Sequence, residues 1–440
     1  MPPEPRRAPV AIVGGGFSGT MLAAQLARRG ISSMLIEGGE RLGRGTAYST
    51  GEPAHVLNVR AEGMSAWPDQ PDHFARESGD GRGFAERRMF GRYLRQILDQ
   101  AVASGHVTPI AGKAVAAARR DGRWEIALDD GATVVAQAVA LAIGNQPPEP
   151  FRFSKAAGER LIDNPWGDEA KAAIREAAAS GGAMLLIGTG LTMVDAVRSL
   201  AAAGHQGQIV AVSRRGQVPK AHADFEAAPI GLDQVPQGNA LALWRWLRRR
   251  SGQVGWRAAV DSLRPHSQAL WQGLDDAQQR RFLRHARPYW DVHRHRIAPE
   301  VARQLRELVA AGRLEIVAGR IGEVRAVDGG LEVDIKRRGG ASETRRFDFA
   351  INCTGPLGAI ARTRDPLLRG LLDDGLVRPD RLGIGLEVDQ SSRAAGAERL
   401  WALGPLTKGR YWEIVAVPDI RGQAAAVADD IASEIGELQR

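Results

Sequence analysis

The chain has 440 residues, 44 % hydrophobic and 25 % charged, the balance of a folded globular protein large enough for two or three domains. No run approaches the ~18 apolar residues of a membrane span, residues 1–9 carry Pro and Arg but no apolar core for a secretory signal, and the single cysteine, Cys353, excludes an internal disulfide or dithiol site, so a reducing cytoplasm is expected. The formal charge of +8 points towards anions. Its clusters at 87–95, 245–250 and 280–296 lack a helix-turn-helix, zinc or aromatic RNA-binding signature. A solvated face, or a field drawing in anionic cofactor and substrate, is therefore expected rather than nucleic acid.

The first element is an apolar strand, Val10-Ala11-Ile12-Val13, running into Gly14-x-Gly16-x-x-Gly19 and a helix predicted over 17–29. The first glycine permits the turn, the second admits a pyrophosphate and the third lets the helix pack on the strand, with the phosphates on the helix N-terminus. A second strand, Ser33-Met34-Leu35-Ile36, ends in Glu37. A carboxylate there accepts hydrogen bonds from a ribose and repels a 2′-phosphate, so this turn reads as a site for FAD or NAD rather than NADP. The Gly- and Arg-rich loop 41–48, with Arg44 and Thr46, is expected to wrap the flavin side of a dinucleotide. A polar loop holding His55, Asn58, Met64 and Ser65 follows. After a helix over 90–104 come short strands at 107–110, 114–118, 124–128 and 133–143, leaving through Gly144 to Pro147.

The pattern then restarts. Met184-Leu185-Leu186-Ile187 enters Gly188-Thr189-Gly190-Leu191-Thr192-Met193, and the next strand, 208–212, ends in Ser213-Arg214-Arg215-Gly216. Two guanidiniums and the Ser213 hydroxyl in place of an acid suit a 2′-phosphate, since Arg grips phosphate in a bidentate fork; NADPH is the expected ligand, bound by Gly188, Gly190, Thr192, Arg214 and Arg215. Strands at 314–317, 322–327, 331–335 and 346–351 repeat the meander and leave through Ile351 to Pro356, which mirrors Ala142 to Pro147; Gly144 and Gly355 are expected at the cofactor sites. A helical insertion, about 217–312, contains Trp244, Trp246, Trp256, Trp271 and Trp290, read as local core. It also holds Arg294, His295 and Arg296, which suit an anionic substrate or a phosphate. Carboxylate and thiolate ligands are scarce beside His293 and His295, so no metal is expected.

The fold class is therefore α/β: two Rossmann-like three-layer dinucleotide-binding domains with β-meander insertions and a helical insertion. The expected domains are 1–165 for FAD, 166–345 for NADPH and 346–440 returning to the FAD domain.

Along nearly its whole length the chain resembles bacterial FAD/NAD(P)-binding oxidoreductases. The motifs are GGGFSG, GTAYST, HVLNVRAEGMSAWPDQPDHF, RRMFGRYL, GTGLTMVD, RPYWDVHRHR, INCTGP and ALGPLTKGRYWEIVAVPDIRGQA. More distantly it is similar to flavin-containing monooxygenases and microbial N-hydroxylases, which share the Asn, Met-Ser, Asp-x-Pro and Tyr-Leu pattern seen at Asn58, Met64, Ser65, Asp69, Pro71, Tyr93 and Leu94. The fingerprint F-x-G-x-x-x-H is absent at 151–166, which argues against Baeyer–Villiger chemistry. The resemblance implies a single-component monooxygenase using FAD, NADPH and molecular oxygen, acting through a C4a-peroxyflavin on a small amine or amino acid. It implies that Asn58 stabilises that peroxide, that Phe17, Ser18, His55, Met64, Ser65, Thr189 and Trp412 belong to the cofactor sites, and that Gly404 and Pro405 close over the flavin. Arg294 and His295 suit a substrate carboxylate. Three other readings stay open: a reductase or oxidase without oxygen insertion, a non-turning FAD/NADPH sensor, and a basic flavoprotein docking on a partner. The sequence carries no signal of oligomeric state.

Overall fold

The computed structural model describes residues 4–39 and 42–438; Arg41 of the Gly/Arg loop and residues 1–3 lie outside the described residues. In chain order the elements that build the fold begin with β1 (Arg6–Val13), α1 (Phe17–Arg28), β2 (Ser33–Glu37), α2 (Arg87–Ala103), β3 (Val107–Ala111), β4 (Ala114–Arg120), β5 (Arg123–Leu128) and β6 (Thr133–Leu141). Then come β7 (Leu161–Ile162), α3 (Asp168–Ser180), β8 (Met184–Ile187), α4 (Leu191–Ala202), β9 (Ile209–Ser213), α5 (Ala240–Val254), α6 (Arg287–Arg294) and α7 (Pro299–Ala310). Last are β10 (Leu314–Val327), β11 (Gly330–Arg337), β12 (Ser342–Phe347), β13 (Phe349–Asn352), α8 (Pro366–Asp373), β14 (Leu400–Ala402) and α9 (Val417–Leu438).

The chain forms two compact units. One comprises the residues up to Pro53, Arg60–Gln146 and everything from Gly358; the other comprises Ala54–Val59 and Pro147–Leu357. The boundaries expected at 165/166 and 345/346 thus move to 146/147 and 357/358, and the second unit captures a short segment at 54–59. Hydrogen bonding is the reason for the shift: β13 pairs in parallel with β8 and β7, so the strand around 350 completes the second sheet and not the first.

In the first unit the sheet order is β3-β2-β1-β6-β5-β4, with β14 also on β6. The strands β1, β2, β3, β6 and β14 run parallel, whereas β4, β5 and β6 form an antiparallel meander. Alternating side chains separate two layers. Ala11 and Val13 join a core with Trp124, Val139, Leu367 and Leu371 under α8; Val10 and Ile12 point the other way, and α1 packs against α2 and α9. The sequence explains the difference between strands. β5, RWEIAL, alternates because one face is solvated, and β8, MLLI, is buried at every residue because both faces are covered.

The second unit has the sheet order β12-β11-β10-β9-β8-β13-β7. Strands predicted separately at 314–317 and 322–327 are one 14-residue strand, β10. Its first part, up to Ala318, pairs in parallel with β9, and from Gly319 it pairs antiparallel with β11, with a register shift inside that second pairing between Ile321 and Val324. The predicted strand at 346–351 is likewise two, β12 and β13, separated at Asp348. Among the described residues no helix is long and apolar enough to cross a membrane.

Candidate dinucleotide sites

Each unit carries a glycine turn built the same way. Gly14 has φ +104°, and a Cβ there would lie 2.5 Å from the Ala142 carbonyl oxygen at the end of β6. Gly188 has φ +123°, and a Cβ would lie 2.2 Å from the Cys353 carbonyl oxygen at the end of β13. In both cases the chain leaving the sheet passes so close to the turn that any side chain is excluded. The two exits, 142–147 and 351–356, are therefore structural counterparts as well as similar sequences.

At the first turn a Cβ on Gly19 would lie 1.9 Å from the Gly14 carbonyl oxygen, so α1 presses directly on the turn. Gly16 is the N-cap of α1 and offers no side chain to its first N–H groups. They are left for an anion, which the helix dipole also favours. The Gly15 N–H donates to Glu37 Oε2 at 2.7 Å, which fixes the carboxylate beside the turn. Gly45 crosses the turn so closely that its Cβ would meet Gly16 Cα at 2.8 Å, and this brings Arg44 and the exposed Thr46 alongside. The Arg44 Nε is buried with no hydrogen-bond partner among the described residues. From β14 the chain delivers Gly404, whose Cβ would lie 2.6 Å from Ser18 Oγ. Gln423 Oε1 accepts from Gly404 N at 2.7 Å, while its Nε2 donates to Ser392 and Thr407, so α9 holds the loop carrying Gly404 and Pro405. Gly14, Gly16, Phe17, Ser18, Gly19, Glu37, Arg44, Thr46 and Gly404 thus meet around one helix N-terminus, and Gly144 (φ +71°) follows just beyond β6.

Several expected residues are held by contacts of their own. Ser65 is fully buried, and its hydroxyl donates to Gln70 O at 2.5 Å and accepts from Trp67 N. Met64 is buried beside it. This loop is braced by Tyr93, which takes the Ala66 N–H and pairs with His73 Nδ1, and by Arg421, which donates to Ser65 O at 2.8 Å. Burial pushes the Tyr93 phenol up and the Arg421 guanidinium down. Trp412 is buried in the turn between Thr407 and α9. His55 and Asn58 lie in the segment that packs with the second unit: His55 Nε2 pairs with Ser199 Oγ on α4 at 2.9 Å, and the Asn58 carbonyl accepts from His222 Nε2 at 3.0 Å. The Asn58 side-chain amide makes no hydrogen bond among the described residues.

At the second turn the N-cap of α4 is Gly190, again without a side-chain cap and with open space where a Cβ would be. Met193, fully buried, replaces the third glycine. Thr192 is half-buried in the first turn of α4, and Gly355 (φ +90°) follows β13. The hydroxyls of Thr189 and Ser213 are spent on the turn: they pair at 2.8 Å, Thr189 also donates to Gln217 O, and Ser213 accepts the Gly216 N–H. The expected phosphate contact from Ser213 is therefore replaced by a structural one. The guanidiniums differ. Arg214 is exposed with no ion pair among the described residues, and Arg215 lies over the Tyr289 ring, 5.5 Å from its centroid. Sequence reasoning missed Tyr289; its signal was the motif RPYWDVHRHR.

In the insertion, Arg294 and His295 are half-buried at the end of α6. Arg296 is buried and forms a two-pronged ion pair with Asp261, 2.7 and 3.3 Å. Its expected role towards a substrate anion is thereby corrected, because its charge is already matched. Cys353 is also buried, and desolvation pushes its thiol far up, which leaves it a poor nucleophile.

Both turns fit a dinucleotide: free helix N–H groups at a side-chain-free cap, an acid at the first and cations at the second. Residues 11–146 match the FAD-NAD(P)-binding family model, so the first unit contains an FAD-NAD(P)-binding domain. The whole chain has the two-domain fold of flavoprotein oxidoreductases. L-lysine 6-monooxygenase from Pseudomonas syringae is 17 % identical, with a TM-score of 0.67 over 97 % of this chain and 100 % of that one. The Kutzneria sp. 744 ornithine N-hydroxylase KtzI, in complex with reduced FAD, NADP+ and L-ornithine, is 15 % identical with a TM-score of 0.67 over 98 % and 100 %. Bacillithiol disulfide reductase from Staphylococcus aureus shares the fold at 11 % identity and a TM-score of 0.59 over 98 % and 99 %. No curated protein matches the sequence.

Proposed function

We propose that this protein is an FAD- and NADPH-dependent monooxygenase that hydroxylates the nitrogen of a small amine or amino acid. The observation that carries the reading is the opposite chemistry at the two turns: Glu37 held by Gly15 N in one unit, Arg214 and Arg215 in the other. An acid selects a bare ribose, and paired guanidiniums select a 2′-phosphate. Full-length likeness to the lysine and ornithine hydroxylases supports the reaction class.

When bound, the two cofactors supply hydride transfer and oxygen activation, which no side chain can perform. The chain's own residues bind and orient. The α1 N-terminus and Arg44 take the FAD diphosphate, Glu37 takes its ribose, and the α4 N-terminus with Thr192 takes the NADPH diphosphate. Asn58, with its side-chain amide uncommitted, is the proposed donor that steadies charge on the reacting oxygen. Arg294 and His295 are the proposed partners of a substrate carboxylate.

Incubating the FAD-loaded protein with NADPH, oxygen and a panel of amines and amino acids tests this. One hydroxylamine per NADPH with little peroxide is the expected result. Peroxide equal to NADPH with every amine instead identifies an oxidase or reductase. The dithiol form of the latter is excluded by the cysteine count, and Cys353 is buried.

A further inference from the structure

The helical insertion meets the second turn at Tyr289, and the contact lies wholly within the second unit. Arg215 rises from a turn made rigid by Ser213, whose hydroxyl pairs with Thr189 and accepts the Gly216 N–H at 3.0 Å. Its guanidinium lies over Tyr289, and Tyr289 in turn meets Trp244 of α5, ring centroids 5.8 Å apart at 54°. The α6 helix carrying Tyr289 is itself tied down. The Tyr289 carbonyl accepts from His293 Nδ1 at 2.7 Å, Lys220 N donates to Val292 O at 2.8 Å, and just beyond the helix buried Arg296 pairs with Asp261. The backbones that carry Arg215 and Tyr289 are therefore both tied down, one by the Ser213 turn and the other by the bonds on α6.

A guanidinium lying over an aromatic face keeps its in-plane N–H fork directed outward, ready for two phosphate oxygens, and loses less rotamer freedom on binding than a solvated one. Arg214, exposed and without such a plate, pays that cost in full. We infer that Tyr289 is a positioning residue that presets Arg215 for the adenosine 2′-phosphate, so that the insertion helps set the preference for NADPH over NADH. The inference rests on the NADPH reading of the second turn.

The test titrates FAD-loaded protein with 2′,5′-ADP and with 5′-AMP, and measures KM for NADPH and NADH, in wild type, Tyr289→Phe, Tyr289→Leu and Arg215→Lys. The expected result for Tyr289→Leu is a loss of about three- to tenfold in 2′,5′-ADP affinity and a rise of the same size in the NADPH KM, with 5′-AMP and NADH unchanged and Tyr289→Phe near wild type. Arg215→Lys keeps the charge but not the stacked plane and shows the same loss, which preserves the test should Tyr289→Leu fail to fold. Equal loss for both probes, or none in either variant, overturns the positioning role. A wild type that binds the two probes equally overturns the NADPH reading and this inference with it.

Discussion

At the scale of single residues, the first turn takes its shape from Gly14 and, as proposed, its specificity from Glu37. Replacing Glu37 with Ala removes both the acceptor for Gly15 N and the proposed ribose partner, and the purified protein is expected to carry less than a tenth of the wild-type flavin, read from its absorbance ratio. A Gly14→Ala change forces a Cβ onto the Ala142 carbonyl at an unfavourable φ, and its flavin loss should accompany a lower melting temperature. Removing the exposed guanidinium in Arg214→Ala should raise the NADPH KM about tenfold while leaving that for NADH unchanged. The glycines and Glu37 were legible because each answers a backbone or charge requirement written in consecutive residues. The fates of Ser213, Ser65 and Arg296 were not. Their hydroxyls and charge are spent on partners far along the chain, such as Asp261 for Arg296, and spacing carries no trace of such pairings.

At the scale of elements, strand type was legible from burial pattern, because β5 alternates and β8 is uniformly apolar. The join within β10 was not, because a strand that changes partners keeps its own periodicity. Trp124 on β5 is fully buried in the core under α8, and its replacement by Ala is expected to cost about 3–5 kcal/mol in urea unfolding. The α9 helix is fastened to the strand-end region by Glu434, which accepts from Arg393 at 2.8 Å and Arg399 at 3.2 Å. The bond from Arg393, above all, holds the Glu434 carboxyl below its ordinary range. A carboxyl depressed in the folded state stabilises above its unfolded pKa, near 4.3, and that stability is lost as pH falls through the folded value. Glu434→Gln should therefore lower stability at pH 7 and narrow its gap to wild type below about pH 4, as followed by denaturant midpoints across pH.

At the scale of the whole molecule, the two turns imply two ligands with separable effects. FAD should raise the melting temperature through the first unit, and 2′,5′-ADP should do so through the second, each by mass action on its own site. The architecture of two similar halves was legible because the turn, helix, meander and exit repeat in order. The exact partition was not, since the segment 54–59 and the strand near 350 are assigned by the sheet and helix they join rather than by composition.

The pairing of β14 with β6 has a consequence for how the protein is made. Those strands lie roughly 260 residues apart, so a ribosome working at about 5–20 residues per second takes tens of seconds between them. The second unit has all its residues in hand by Leu357, while the first still awaits the strand that delivers Gly404 to Ser18. During synthesis the second unit is able to fold while the first is still incomplete, and under the proposed assignment flavin capture becomes one of the last events in the birth of the chain.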